Sequence, residues 1–150
     1  MDAVSYPQPS VIEFISNNLV PLRIPADNKE LGNRYAAKWT PLLLLLDAGG
    51  KEYYRTLGFF SPQELIPSLL LGLAKASFDR AERPAAIQHC ERILQEFPNS
   101  GAAPEAIYLK GVAGYIESHE VNHLKELHKT LQRDFPTSTW AMRASPYGLL

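Results

Sequence analysis

The chain has 150 residues, of which 45% are hydrophobic and 21% are charged, and its formal net charge is -1. This composition is typical of a soluble globular protein with one sizeable core or two small ones. The near-zero charge argues against a surface for nucleic acid or an anionic membrane, since both need clustered Lys and Arg.

Targeting signals and cysteines narrow the class of protein further. No basic start precedes an apolar segment and no apolar run is long enough to cross a membrane, so we expect a cytoplasmic protein. Cys90 is the single cysteine, which excludes an internal disulfide, a CxxC pair and a cysteine-based zinc cluster. No pattern in the sequence implies a cofactor.

The first half of the chain predicts alternating helices and strands. Ser10-Val11-Ile12-Glu13 fits a capping box that begins a helix, and Val20–Ile24 predicts a short strand, placed at a strand start or an edge by Pro21. A second helix is predicted over residues 29–38, where Leu31 and Tyr35 share one face.

A run of five leucines, Leu42–Leu46, is too short for a membrane helix and predicts a strand buried on both faces. Gly49-Gly50 turns the chain into a second strand, Glu52–Leu57, which makes an antiparallel hairpin. Ser61-Pro62-Gln63-Glu64 then begins a helix over residues 61–78. The order helix, strand, helix, strand, strand, helix indicates an α/β layer.

From about residue 70 the pattern changes to pairs of amphipathic helices. Phe97-Pro98-Asn99-Ser100 and Phe135-Pro136-Thr137-Ser138 end two of these helices and lie 38 residues apart. Alanines recur at the same offset: Ala103 and Ala106, then Ala141 and Ala144. A period of this length is typical of solenoids built from helical hairpins.

Several segments of the first half occur in an order and spacing that resembles thioredoxin-like proteins, over roughly residues 1–75. They are Val20–Ile24, Leu31–Tyr35, Thr40-Pro41, the leucine run, Asp47–Lys51, Gly58 and Ser61-Pro62. In that family the Thr-Pro step is the cis-proline loop, so the resemblance implies a cis peptide bond between Thr40 and Pro41.

The second half, residues 76–150, is similar to tetratricopeptide repeats in its small-residue and proline positions, with helix 61–78 shared between the two parts. These positions are Ala86 with Pro98, then Ala106, Tyr108 and Gly111 with Pro136. The chain departs from that family at Cys90, where an aromatic residue is usual, and at Ile93, where alanine is usual.

The chain lacks the redox motif of thioredoxin-like oxidoreductases. Oxidoreductases of that kind begin with a strand and a CxxC motif. In relatives the motif often reads Cys-x-x-Cys-Lys-x-Met and is followed by a segment like Asp2–Tyr6. Met1 of this chain takes the position of the methionine in that motif. Either the chain is a redox-inactive form, or Met1 is internal to a longer chain. The absent strand would lie between Val20–Ile24 and Leu42–Leu46. We expect the gap to be closed by pairing of those two strands, by a strand from another molecule, or by residues 1–7 folding back.

Trp39, Thr40 and Pro41 are the candidate binding residues, because backbone beside the cis-proline of thioredoxin-like proteins pairs with an extended peptide. Whether Trp39 is exposed there or packed in a core stays open. In the helical part, Tyr108 and Tyr115 are either anchors for a partner peptide or aromatic residues of the repeat core.

Two further patterns contain residue types that can carry chemistry. His119-Glu120-Val121-Asn122-His123 matches the HExxH zinc motif, but the repeat places His119 in a turn between helices, so we expect no metal site at His119, Glu120 and His123. Cys90 as a nucleophile would need a nearby base, and His89 points about 100° away on a helix. We therefore expect Cys90 to be buried and to act as a small apolar residue.

The sequence thus predicts an α/β protein: a truncated thioredoxin-like sheet layer followed by an all-α tail of tetratricopeptide-like helical hairpins. We expect a non-catalytic interaction module whose helical part recruits a protein or peptide partner, with a homo-oligomer permitted by the open sheet edge. The alternative is the C-terminal major part of a thiol-disulfide oxidoreductase whose CxxC lies upstream of Met1. Residues 1–150 alone lack the two thiols that exchange requires.

Overall fold

A computed structural model describes residues 1–150. In chain order the elements are α1 (Pro9–Asn18), α2 (Lys29–Arg34), β1 (Leu42–Leu46), β2 (Glu52–Leu57), α3 (Pro62–Asp79), α4 (Arg83–Glu96), α5 (Ala103–Ser118), α6 (Asn122–Asp134), α7 (Thr139–Ala144) and a short 3-10 helix, η1 (Ser145–Leu149). The protein is mostly helical with one small two-stranded antiparallel sheet. None of the helices has both the length and the apolar character that crossing a bilayer requires.

The chain divides into two compact units, Met1–Ile66 and Pro67–Leu150, and the boundary falls within α3. In the first unit, Val11 and Phe14 on α1 are buried. Helix α2 begins at Asn28, whose side-chain oxygen accepts a hydrogen bond from the Leu31 N–H at 3.0 Å.

Helix α2 ends four residues before the predicted end at residue 38. Ala36 adopts a left-handed conformation with φ of 50°. The N–H groups of Ala36 and Ala37 donate back to the carbonyls of Asn33 and Gly32, at 3.2 and 2.8 Å. This pattern of bonds closes a helix end, so the helix stops although its sequence could continue it.

The predicted strand over Val20–Ile24 is wrong, because these residues form no regular secondary structure. A strand needs a neighbour for its backbone groups, and the sheet contains only β1 and β2. Val20 is 97% exposed and Leu22 is 81% exposed. Residues 2–7 form turns and add no strand either, so neither route within the chain closes the gap beside Leu42–Leu46.

The hairpin over β1 and β2 is confirmed, with Leu42 opposite Leu57 and Leu45 opposite Tyr54. A bulge lies between the pairs of Leu45 and Leu46. The predicted burial of the leucine run on both faces is wrong, since each leucine of β1 is only partly buried. A sheet of two strands offers too little cover to remove these side chains from water.

In the second unit, consecutive helices pack on one another: α4 on α5, α5 on α6, and α6 on α7 and η1. One core cluster combines buried residues of α5, α6 and α7: Ile107, Leu124, Leu127, Leu131, Ala141 and Ala144. The small residues Gly111 and Gly114 of α5 lie directly against α6, where an added Cβ would meet Leu127 and the His123 ring. Close approach of the two helices therefore depends on these glycines.

The 38-residue repeat of the sequence is also a repeat of structure. Phe97 and Phe135 each follow the end of a helix with nearly the same backbone angles, φ near -136° and -139° and ψ of 51°. Ser100 and Ser138 then donate their N–H groups to those phenylalanine carbonyls, both at 3.0 Å. The residues that match at this offset are buried in both copies: Ile93 with Leu131, Ala103 with Ala141, and Ala106 with Ala144.

Candidate functional site

The loop before β1 carries the candidate binding residues Trp39, Thr40 and Pro41. Trp39 is 71% exposed, Thr40 is exposed and Pro41 is partly buried. The Thr40–Pro41 peptide bond is cis, as the resemblance to thioredoxin-like proteins implied. The Pro41 carbonyl accepts a hydrogen bond from the Gly58 N–H at 2.9 Å, which ties this loop to the end of β2.

Two further exposed apolar residues lie at the same end of the hairpin. Leu57 is 55% exposed and Phe59 is 60% exposed, and they flank the Gly58 that bonds to Pro41. With Trp39 they form what we call the apolar end of the hairpin. Sequence reasoning did not single out Leu57 or Phe59, although an aromatic residue directly after a strand and a glycine was a usable signal.

The opposite end of the hairpin is fixed by Asp47. Its carboxylate accepts hydrogen bonds from the N–H groups of Gly49 and Lys51, at 2.9 and 3.0 Å, and from the Tyr53 hydroxyl at 3.3 Å. The Lys51 N–H is the main reason that the pKa of Asp47 lies below its ordinary value. The carboxylate is thus satisfied within its own turn.

The strand β1 has one backbone edge without a partner strand. Pro41 C=O and Asp47 N–H both bond toward β2, to Gly58 and Lys51. Since backbone groups in an antiparallel pair alternate in direction, odd-numbered residues between them face β2 and even-numbered residues face away. The N–H and C=O groups of Leu42, Leu44 and Leu46 therefore form a free edge, for the sheet ends at β1.

In the helical unit, Tyr108 and Tyr115 both pack against the core cluster, which favours the repeat-core interpretation over that of exposed anchors. The Tyr108 ring lies 5.1 Å from the Trp140 ring, and its hydroxyl lies 3.2 Å from that of Tyr147. The hydrogen bond with Tyr108, together with burial, raises the pKa of Tyr147 to about 12.

The HExxH pattern is split between two helices. His119 follows the last residue of α5 in a left-handed conformation, with φ of 59°, whereas His123 lies in the first turn of α6. A zinc site of the HExxH type needs both histidines one turn apart on a single helix. The structure brings together no group of three or more His, Cys, Asp or Glu residues suited to hold a metal ion.

Cys90 lies on α4 and is fully buried. Burial raises the pKa of its thiol to about 12, and the nearby Lys110 ammonium only partly opposes this effect. Because the thiolate is the nucleophilic form, we expect this cysteine to be unreactive at neutral pH in the folded protein.

Comparisons with known proteins were made for the whole chain. Neither a family model, nor a curated protein, nor a solved structure matches it.

Proposed function

We propose that this chain is a non-catalytic protein-interaction module. In this proposal a thioredoxin-like first unit without the CxxC strand is joined to tetratricopeptide-like helical repeats. The order of hairpin and α3 supports the first part, and the 38-residue recurrence of helix, Phe-Pro turn and helix supports the second.

The observation that carries the proposal is the exposed apolar surface of the first unit. Val20, Leu22, Trp39, Leu57 and Phe59 are each more than half exposed. Isolated exposed apolar residues are ordinary, but three of these collect at one end of the hairpin. Burying them against another protein would release water from apolar surface, which favours association.

The apolar end of the hairpin is also suited to an anchor role. Tryptophan is enriched among the few residues that dominate binding energy at interfaces, since it buries a large area with few rotatable bonds. Trp39 lies two residues before Pro41, whose carbonyl accepts the Gly58 N–H at the end of β2. We infer that the partner is a protein segment whose apolar side chains pack against Trp39.

A selection of random peptides displayed on phage against the immobilised full chain tests this proposal. We expect enriched peptides with aromatic or aliphatic residues, and calorimetric titration of one synthetic peptide should show saturable binding. Trp39→Ala should weaken that binding at least tenfold, the usual effect of losing an anchor. Leu149→Ala is the matched control, because Leu149 is 92% exposed but lies in the other unit.

Two results would contradict the proposal. One is a selection that enriches no peptide sequence, and the other is binding that Trp39→Ala and Leu149→Ala change equally. Equal loss would indicate a general effect of apolar surface instead of a site at the hairpin.

A second candidate function is the thiol-disulfide oxidoreductase with its CxxC in a longer chain. The free edge of β1 favours it, since a preceding strand would pair there. The in-frame coding sequence upstream of Met1 tests this candidate. A strand-like run followed by CxxCK directly before Met1 supports it, and a stop codon in that position removes it.

A further inference from the structure

We propose that the chain of residues 1–150 forms a symmetric dimer through the free edge of β1, with Leu44 of each copy on the two-fold axis. This inference goes beyond the proposed function, because it concerns self-association and not the partner that seats on Trp39. It turns two two-stranded hairpins into one four-stranded sheet.

The residues of the free edge carry none of the protective residue types or bulges that proteins use on an exposed strand. Such protection comes from lysine or proline on the edge, from an inward-pointing charge, or from a bulge that twists the edge away. Leu42–Leu46 contains only leucine, and the extra residue of the bulge belongs to β2. Pro41 does not block the edge, because its backbone faces β2.

A second copy of β1 is complementary to this edge in both hydrogen bonding and sequence. Antiparallel pairing about Leu44 places Leu42 opposite Leu46 of the other copy, and all three free-edge residues then form hydrogen-bonded pairs. Three donors and three acceptors on each copy give six hydrogen bonds across the axis, with no free-edge group left over. A closed two-fold contact of this kind uses the same patch on both copies.

The side chains fit the same register. Each leucine of β1 meets a leucine of the other copy, since the run reads identically in both directions. These leucines are only partly buried in the single chain, so pairing would remove more of their apolar surface from water. Asp47 directly follows Leu46 in sequence; its carboxylate is already bonded within its own turn and brings no unpaired charge to the contact.

The hairpin itself supplies a further reason for pairing. A two-stranded sheet is only marginally stable by itself, whereas sheets of three or more strands with an apolar face are stable. A pairing register shifted by two residues would lose hydrogen-bonded leucine pairs, so the axis through Leu44 is the one that satisfies the whole edge.

Sedimentation equilibrium over a concentration series measures the state of the full chain. We expect a mass of twice 16.8 kDa. Leu44→Glu and Leu44→Lys should each give the single-chain mass, because two like charges would face each other across the axis. An equal mixture of the two variants should restore the double mass through opposite charges. Far-UV circular dichroism checks that each variant is folded, because Arg55, opposite Leu44 on β2, already bonds Glu52 and the Tyr35 carbonyl and would lie beside the new charge.

Disulfide trapping tests the register. Leu43→Cys and Leu45→Cys should each remain uncrosslinked alone but form a disulfide when the two variants are mixed and mildly oxidised, since residues 43 and 45 are opposite across the axis at a closely spaced pair. Cys90 can stay in place because it is buried.

Three outcomes would overturn the inference. They are a single-chain mass for the unmodified protein at every concentration, a double mass that both Leu44 variants retain, and self-crosslinking of Leu43→Cys. The proposed function fails separately, through the phage selection and the Trp39→Ala titration, because Leu44 does not belong to the apolar end of the hairpin.

Discussion

The contact between α5 and α6 gives the sharpest test of the packing in the helical unit. Replacing Gly111 by alanine would place a Cβ 2.3 Å from Leu127 Cδ2, 2.7 Å from Leu127 Cβ and 3.0 Å from the His123 carbonyl oxygen. Ordinary contacts between carbon atoms begin at about 3.5 Å. Two of the three atoms are close to the α6 backbone, so a side-chain rotation cannot relieve the overlap.

Two effects of opposite sign decide the outcome of Gly111→Ala. Alanine favours a helix interior over glycine by about 1 kcal/mol, whereas overpacking of this severity costs about 3 kcal/mol. We therefore expect the free energy of unfolding to fall by about 2 kcal/mol, which corresponds to a drop in Tm of about 4 to 8 °C for a chain of this length. Urea unfolding followed by tryptophan fluorescence measures it, since Trp140 packs on the core that contains Leu127 and the other tryptophan, Trp39, is already exposed in the folded chain.

Two other glycines provide matched controls for the same substitution. Gly32, within α2, has no atom within 4 Å of an added Cβ, so Gly32→Ala should stabilise the first unit by about 0.5 to 1 kcal/mol. Gly114→Ala should fall between the two, because the three atoms nearest to its new Cβ all belong to the His123 ring, which can turn away. A Gly111→Ala variant as stable as the unmodified protein, or less affected than Gly114→Ala, would refute the close packing of α5 on α6.

Three further predictions follow from single side chains. Ser138→Ala should lower the free energy of unfolding by about 1 kcal/mol, because the Ser138 Oγ accepts the Ala141 N–H at 3.1 Å. Ser100→Ala, at the matching repeat position, should be neutral or stabilising because that buried hydroxyl has no partner. Urea unfolding compares the two variants. Cys90 should not react with Ellman's reagent in the folded protein at neutral pH and should react fully in guanidinium; rapid labelling of the native chain would contradict its burial. Because the pKa of Tyr147 is raised in the folded chain, the unfolded chain loses the Tyr147 hydroxyl proton at lower pH. The free energy of unfolding should therefore fall as pH rises from near 10 toward about 12. Tyr147→Phe should reduce this fall in a series of thermal-unfolding curves measured at increasing pH.

The helical unit could be predicted from the sequence because its signals are local and repeated. A proline directly after Phe97 and another after Phe135 indicate that a helix ends there. The alanines 38 residues apart mark where neighbouring helices approach. The aromatic contacts of Tyr108 with Trp140 and Tyr147 could not be predicted, since they join residues more than thirty positions apart through tertiary packing.

The first unit was predicted less well, and the errors at Val20–Ile24 and at the leucine run have the same physical cause. A strand forms only where a neighbouring strand pairs with its backbone. Neither the alternation of apolar and other residues in Val20–Ile24 nor the leucine run indicates where such a neighbour lies. The sequence also left the exposure of Trp39 open, because an aromatic residue beside a turn suits a core and a binding surface equally. The structure exposes it.

The two units therefore differ in where their stabilisation originates. In Pro67–Leu150 the repeated positions are buried on neighbouring helices of the same chain, and substitutions there should act on folding alone. In Met1–Ile66, β1 keeps an open edge and Trp39 is 71% exposed, so under the two proposals substitutions at these residues should act on association. Leu44→Glu should thus change the state of association while leaving the unfolding of the helical unit unaltered, and Gly111→Ala should do the reverse.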